Sequence, residues 1–344
     1  MKNYFIPLFA ATITIVSCKT NELYINVMEP APVTIPSYVK SIAVIDRSAT
    51  TEEAKPLDVV DKVLTLEGAN LDKDGAAESI AGLKEELMRN ERFTEVKTLS
   101  NIEFKTPRLA VMPQPLAWNI VEQICSENKI DALFSLEKFD TDTRIGYSNR
   151  KVEIETPLGK IPGIEHQADM ETLVKTGWRI YDPKAKAILD EFIYDESVVY
   201  HGRGINPVVA AAGLIGRKEA VKEVGNKAGH GYALRLIPIY TRVYRDYYVK
   251  GSDNFKIAKR KAQMGKWDEA ADYWNKELDN PKMKIAGRAA YNMAIINEIN
   301  GNLDEAIGWA QKSYEDYNNK MAARYFHLLE GRRYENQVLA EQGN

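Results

Sequence analysis

The pattern of apolar and polar positions changes its period several times along the chain, and each change marks an element. Tyr4 to Val16 is an apolar run interrupted only by Pro7, Thr12 and Thr14, behind the basic start Met1-Lys2. It closes on Ile15-Val16-Ser17-Cys18. The run is shorter than the ~20 residues a spanning helix needs, and its basic start, apolar core and small closing residue are those of an export signal. Leu23, Ile25 and Val27 then alternate with polar residues, the period of a half-buried strand. Pro30, Pro32 and Pro36 favour an edge or extended path after it. Ser41 to Asp46 is a short continuous apolar run, as in a strand covered on both faces.

A helical period takes over after a polar stretch containing Gly68 and Gly75. Ile80, Leu83 and Leu87 predict a helix over 76–89, with Lys84, Glu85 and Arg89 on its other side. Phe93, Val96 and Leu99 predict a strand, residues 116–128 a second helix, and Ile130 to Phe139 a third strand. Strands and helices in this alternation build a sheet with crossover helices. Antiparallel signals follow. Gly177 to Tyr181 and Ile188 to Tyr194 flank the turn-rich Asp182-Pro183-Lys184-Ala185-Lys186 as a hairpin, and Lys151 to Glu155 reads as another strand. Pro207 opens a broken helix reaching towards Leu234, whose Ala210, Ala211, Ala212, Gly213 and Gly216 suit close approach to a sheet. Ile237, Ile239 and Val243, among Tyr240, Tyr244, Tyr247 and Tyr248, predict a last aromatic strand ending at Gly251. No long amphipathic hairpin is read, which argues against a pore.

The carboxyl end repeats itself. Gly265-Lys266-Trp267-Asp268-Glu269-Ala270 recurs as Gly301-Asn302-Leu303-Asp304-Glu305-Ala306, 36 residues on. Ala258 and Ala294 each lie seven residues before the glycine. The glycines permit a left-handed backbone at a helix end. Asp268 and Asp304 suit the positive start of the next helix, and Ala270 and Ala306 let two helices approach closely. The pattern resembles the tetratricopeptide repeat, two antiparallel helices per ~34 residues, with the extra length in the loop at Asn280-Pro281. It departs from that family at Lys261 and Asn297, where a bulky apolar residue is usual, and at Ala310, where an aromatic is. Two repeats are fewer than the about three that bury a continuous core. A capping helix over 321–339 is therefore expected, with Tyr325, Leu328 and Leu329 inward. The resemblance implies a concave groove with Asn254, Lys261, Asn292 and Asn297 as candidate contacts, and Gly265, Trp267, Ala270, Gly301, Leu303 and Ala306 as its framework. The pair of hairpins would also serve as a brace with no ligand.

Ile15-Val16-Ser17-Cys18 resembles the lipobox of bacterial lipoproteins. That resemblance implies cleavage before Cys18 and acylation of its thiol and amine. Two or more acyl chains anchor a protein stably, each buried methylene contributing about 0.8 kcal/mol. An ordinary secretory peptide with an incidental cysteine, and an uncut anchor, are the alternatives. Lys19 after the cysteine is compatible with outer-membrane sorting. Residues 38–250 are similar in element order to the α/β bodies of the curli-secretion channel subunit, the penicillin-binding-protein activators and the amino-terminal domain of TolB. The whole chain resembles uncharacterised Gram-negative envelope lipoproteins. The expected organisation is a signal peptide at 1–17, a lipidated Cys18 with tether and edge strand at 18–37, an α/β sheet domain with crossover helices at 38–250, and an all-α tetratricopeptide-like domain at 251–344.

Composition narrows the chemistry. Charged residues make up 28% and the hydrophobic set 44%, the balance of a globular domain. The net charge of −3 gives no general reason to expect nucleic acid. If Cys18 is acylated, Cys125 has no partner for an intramolecular disulfide, and its apolar neighbours Val121 and Ile124 make it a small buried hydrophobe. His166, His201, His230 and His327 share no metal-ligand spacing. Gly202-Arg203-Gly204-Ile205-Asn206-Pro207 mimics a dinucleotide loop, but Pro207 stands where the third glycine belongs. Acid pairs such as Asp140 and Asp142, or Asp195 and Glu196, are ordinary on exposed strands and turns. Arg242, Tyr244, Arg245, Tyr247, Tyr248 and Lys250 fit a strand with an aromatic packing face and a charged outer face, or a glycan or nucleic-acid contact. The expectation is a non-enzymatic, membrane-anchored scaffold that binds an envelope protein or peptide, with no cofactor, metal or nucleic acid. The alternative is an enzyme or glycan-binding module with a pocket near Asp46 or His201.

Overall fold

A computed structural model describes residues 19–48, 59–100, 112–157 and 159–343. Cys18 and the stretch read as an export signal lie outside these residues, and the expectations attached to them lie outside with them. In chain order the elements are β1 (Thr20–Glu29), β2 (Ser41–Asp46), α1 (Val59–Arg89), β3 (Glu95–Thr98), α2 (Trp118–Asn128), β4 (Ala132–Thr156), β5 (Gly159–Asp182) and β6 (Ala187–Gly204). There follow α3 (Pro207–Ala212), α4 (Arg217–Ala233), β7 (Ile239–Tyr248), α5 (Asp253–Gln263), α6 (Trp267–Asn275), α7 (Met283–Ile299), α8 (Leu303–Glu315) and α9 (Lys320–Glu341). Two compact units result. The sheet unit takes residues 30–239 and the tail from Val338, and the helical unit takes the described residues up to Glu29 together with 240–337.

The sheet unit is an α/β domain whose five strands run β3-β2-β4-β5-β6. β2 is parallel to both β3 and β4, whereas β5 runs antiparallel to its two neighbours, β4 and β6. The apolar run of β2 is buried on both faces, as its composition predicts. Ile42 and Val44 join Leu83, Leu87, Phe134, Trp178 and Tyr232 in one core. Ala43 and Ile45 join Val121, Ile124, Cys125, Leu133 and Tyr181 in another. Trp178 and Tyr232 stack with centroids 5.1 Å apart and planes 7° apart, an aromatic pair contributing about 0.5–1.5 kcal/mol beyond the area it buries.

Cys125 is the small hydrophobe expected. Burial first, then the charges of Asp131 and Asp182, pushes its thiol up to about 12. Only the thiolate attacks alkylating reagents. Native protein at neutral pH should therefore leave Cys125 unlabelled by iodoacetamide, and urea should expose it to complete labelling, as read by mass spectrometry.

Several expectations need correction. The helix read as starting at Ala76 begins at Val59. Gly75 does not end it, because a Cβ there would lie 2.9 Å from Val221, and across the same contact a Cβ on Gly225 would lie 2.6 Å from the Gly75 carbonyl oxygen. The glycine is the place where α4 presses on α1. A long hairpin does exist. β4 and β5 pair without a break in strand from Leu133↔Tyr181 out to Thr156↔Gly159, with one bulge at Leu136/Lys138. β6 pairs with β5 only as far as His166↔Gly204, so the end of the hairpin is two-stranded. The long hairpin whose absence would speak against a pore is thus present. Finally β7, expected to close the α/β body, pairs with β1 and is grouped with the helical unit.

The loop-like Gly202–Pro207 segment has a packing role. A Cβ on Gly202 would lie 2.1 Å from the Ala210 carbonyl oxygen, and one on Gly204 2.6 Å from the Ala210 nitrogen. Asn206 caps α3, its side-chain oxygen accepting from the Val209 amide at 2.9 Å. The glycines seat a helix on a strand. The tail returns to the start of the sheet unit. Gln342, 3% exposed, accepts from the Ala31 amide and donates to the Ala31 carbonyl, both at 3.0 Å.

Candidate functional site

The helical unit carries the candidate site. Its core is built from the positions that the repeat singles out. Ala258, Ala270, Ala294 and Ala306 are all fully buried, together with Phe255, Trp274 and Ile295. Gly265 and Gly301 adopt φ of +75° and +80° with no atom within 4 Å of an added Cβ. They are needed for backbone conformation alone. Gly265→Ala and Gly301→Ala should each cost about 1 kcal/mol, seen as a lower urea midpoint at unchanged slope. Trp267 and Leu303, the large residues after each glycine, pack on the edge of this core, and Trp267 meets Tyr247 edge-on at 5.4 Å. Ala310 is buried without the aromatic side chain usual in the resembled repeat. On α9, Tyr325 and Leu329 face inward as expected, whereas Leu328 is 40% exposed.

The four candidate groove residues are not brought together as one surface. Asn292 is fully buried. Its oxygen accepts from the Tyr248 amide and its nitrogen donates to the Tyr248 carbonyl, both at 2.7 Å. It braces the strand end and offers nothing to a ligand. Asn297 donates to the Met293 carbonyl one turn back at 2.9 Å. Lys261 pairs with Glu269 of the next helix, and that partner holds its ammonium above the ordinary lysine range. Asn254 donates to Glu277 at 2.6 Å.

Glu277 organises the rim of a cavity that residue-by-residue resemblance missed. It is 5% exposed and accepts from Ser252 at 2.7 Å, from Asn254 at 2.6 Å and from Asn280 at 2.6 Å. These bonds tie the start of α5 to the loop before α7. Between them lies a trough of about 980 Å³. Its walls carry Lys250, Lys256, Lys259, Arg260 and Lys282, against a single acid, Asp253. Lys256, Lys259, Arg260 and Gln263 recur at helical spacing on one face of α5. Asp253 is taken by Lys256 at 2.8 Å, which holds its carboxyl below the usual range. The other four cations make no ion pair among the described residues. The apolar floor includes Val249 and Ile285, both buried. The signal was present in the sequence as Lys256-Ile257-Ala258-Lys259-Arg260-Lys261, hidden by an acidic overall balance.

The aromatic and basic strand is only partly as read. Arg245 points inward, not outward. Its guanidinium grips Glu298 at 2.8 and 2.7 Å, and Tyr325 donates its hydroxyl to the same carboxylate. Burial pushes the Tyr325 phenol well up, and the Glu298 charge adds to it, so the phenol stays protonated as a donor. Tyr247 and Tyr248 are buried, and Tyr244 is exposed.

The sheet unit's candidate chemistry is occupied internally. Asp46 accepts from the Ser48 amide and hydroxyl. His201 meets Asp169 at 2.6 Å on exposed strands, and His166 stacks on Tyr147. His230 lies between Glu85 and Glu86, and in the helical unit His327 adjoins Phe326. The acid pairs sit on strands, Asp140 facing Lys138 and Asp142 facing Arg144. Glu137, with a side chain fully buried, collects Arg47 at 2.6 Å, Arg179 at 3.3 Å and the Tyr181 hydroxyl at 2.9 Å. Among the described residues, no group of three or more His, Cys, Asp or Glu is placed to hold a metal ion, and no helix is long and apolar enough to cross a membrane.

Comparison with known proteins places two family models on the chain. Residues 256–331 match a domain of unknown function, DUF6340, and it is this model, not one of the tetratricopeptide repeat, that covers the helices. Among solved structures, the PelC dodecamer from Paraburkholderia phytofirmans is similar at 13% identity, covering 61% of this chain and 96% of that one, with a TM-score of 0.23. A candidate homologue of the neuraminyllactose-binding haemagglutinin from Helicobacter pylori matches at 13% identity, 59% and 84% coverage and TM-score 0.21. A candidate lipoprotein from Caulobacter crescentus CB15 matches at 13%, 55% and 85%, TM-score 0.20. Likeness at this level says nothing about activity. The search of curated proteins finds no match. The other family model spans residues 39–248, well over half of the length, and the chain belongs to the family it defines, a domain of unknown function, DUF8603.

Proposed function

We propose that this chain is a lipid-anchored protein of the Gram-negative envelope that holds a partner protein through its helical unit and performs no chemistry itself. Acylated Cys18 would be the anchor, and Lys19 beside it is compatible with sorting to the outer membrane. The helices would form two tetratricopeptide-like repeats capped by α9. The observation that carries the reading is the repeated geometry. Two turns 36 residues apart share left-handed glycines, and buried alanines line both helix pairs. Beside the first pair opens a trough with four cations that are unpaired among the described residues. Stacked helix pairs of this kind present extended surfaces to peptides and protein segments.

Two experiments test the two halves. Cells fed labelled palmitate should incorporate it into the wild-type chain and not into Cys18→Ser, and an unlabelled wild type overturns the anchor. A photo-crosslinking residue placed at Gln263, on the trough wall, should give one discrete adduct in intact cells. The same residue at exposed Lys320 should give none. Absence of any adduct along the trough and the neighbouring helix faces would overturn the scaffold.

A further inference from the structure

We infer that the trough beside α5 is the seat of an acidic, partly apolar peptide segment of the partner, a refinement that rests on the scaffold reading. Charge is the first reason. Lys250, Lys259, Arg260 and Lys282 line one cavity without a carboxylate partner among the described residues, and Asp253, the one acid in the wall, is already paired with Lys256. Like charges gathered on one wall repel each other, and an anionic ligand relieves that repulsion as it binds. Complementary charge of this kind chiefly sets specificity and association rate.

The end of α7 adds to the same field. Lys282 at its start supplies no capping oxygen, and its first turn holds no acid. The first amides of this 17-residue helix therefore present partial positive charge towards the loop that borders the trough. This is a supplement to the cations and not a site by itself.

The remaining lining selects a peptide over a compact anion. Val249, Pro281 and Ile285 give an apolar floor, and Gln263 supplies a side-chain amide at the wall, while Ser252 and Asn280 are held by Glu277. A floor of that kind favours side chains such as leucine, and the Gln263 amide can donate to and accept from an extended backbone. At about 980 Å³ the trough sits at the upper end of the range of ligand pockets, about 300–1,000 Å³, room for several residues in succession. The Glu277 clamp holds its two sides together before any ligand arrives, so little ordering is left to binding.

The test uses the full mature chain and a short fluorescein-labelled peptide alternating glutamate and leucine. Fluorescence anisotropy should show saturable binding that weakens steeply as salt rises. The glutamine-for-glutamate peptide should bind at least about tenfold more weakly. Lys259→Glu with Arg260→Glu should abolish binding, and the milder Lys259→Gln with Arg260→Gln should weaken it several-fold. Lys320→Glu, far along the chain in α9, should leave it unchanged. Each substituted position is at least partly exposed, and circular dichroism melting confirms that each variant folds. Equal affinity for the glutamine peptide, or for the charge-reversed protein, overturns the proposal. So does binding to phosphatidylglycerol vesicles or inorganic phosphate with none to the peptide. An adduct at Gln263 in cells that survives Lys259→Glu with Arg260→Glu leaves the scaffold standing and removes the acidic segment.

Discussion

Gly229→Ala is expected to destabilise the sheet unit by about 3 kcal/mol or more, although alanine is the better helix former by about 1 kcal/mol. The reason is the contact between α1 and α4. A Cβ on Gly229 would fall 1.9 Å from the Ser79 carbonyl oxygen and 2.8 Å from the Leu83 nitrogen. These are backbone atoms inside a helix and have no rotamer by which to retreat. Gly82 faces the Asn226 carbonyl oxygen at 2.2 Å by the same measure, so the helices meet backbone to backbone along a seam. Accommodating one methyl means parting them and loosening Leu83, Leu87, Val224 and Tyr232 in the core they close. Gly308→Ala is the contrast. That residue sits inside α8 with nothing within 4 Å of an added Cβ, so the same change should stabilise by up to about 1 kcal/mol. Urea titrations followed by circular dichroism read both. A Gly229→Ala midpoint equal to wild type would mean that the seam is not there.

Glu298→Ala is expected to cost about 3–5 kcal/mol, the usual consequence of removing one partner of a buried ion pair. The Arg245 and Glu298 side chains are 8% and 5% exposed. Without the carboxylate, a guanidinium and the Tyr325 hydroxyl are left buried without their acceptor. In the wild type the bonds to Glu298 outweigh burial and hold the Arg245 pKa raised; without them the guanidinium still keeps its proton at neutral pH, so the charge stays buried and unpaired. Arg245→Met combined with Glu298→Leu should recover much of the loss, because apolar groups of similar size need no partner. A single variant within about 1 kcal/mol of wild type would show that the pair lies in water.

Local pattern was enough where the neighbours of a residue are local or where its surroundings are uniform. β2 is legible because a strand buried on both faces has no polar residue to spare. Gly265 and Gly301 are legible because a left-handed turn selects glycine whatever surrounds it. Gly75 is not, since a glycine that ends a helix and one that admits a neighbouring helix look the same along the chain. The aromatic pattern of β7 would serve equally against the α/β body or against β1, and only folding decides between them. Arg245 and Asn292 failed for one reason: a polar residue is read as outward by default, and each has instead a specific buried partner in a distant segment. The trough was half legible. Lys256, Lys259 and Arg260 stand at helical spacing in the sequence, but Lys250 and Lys282 reach the same wall only through the fold.

The interleaving of the two units has a bearing on how the polypeptide matures. β1, near the amino end, has as its partner β7, more than two hundred residues later, and Ala31 is clasped by Gln342, almost the last residue described. β1 cannot pair until β7 is available, nor Ala31 be clasped until Gln342 is, and closing loops of that span is slow. Truncations at either extremity should trap long-lived, protease-sensitive forms, and not merely weaken a finished fold.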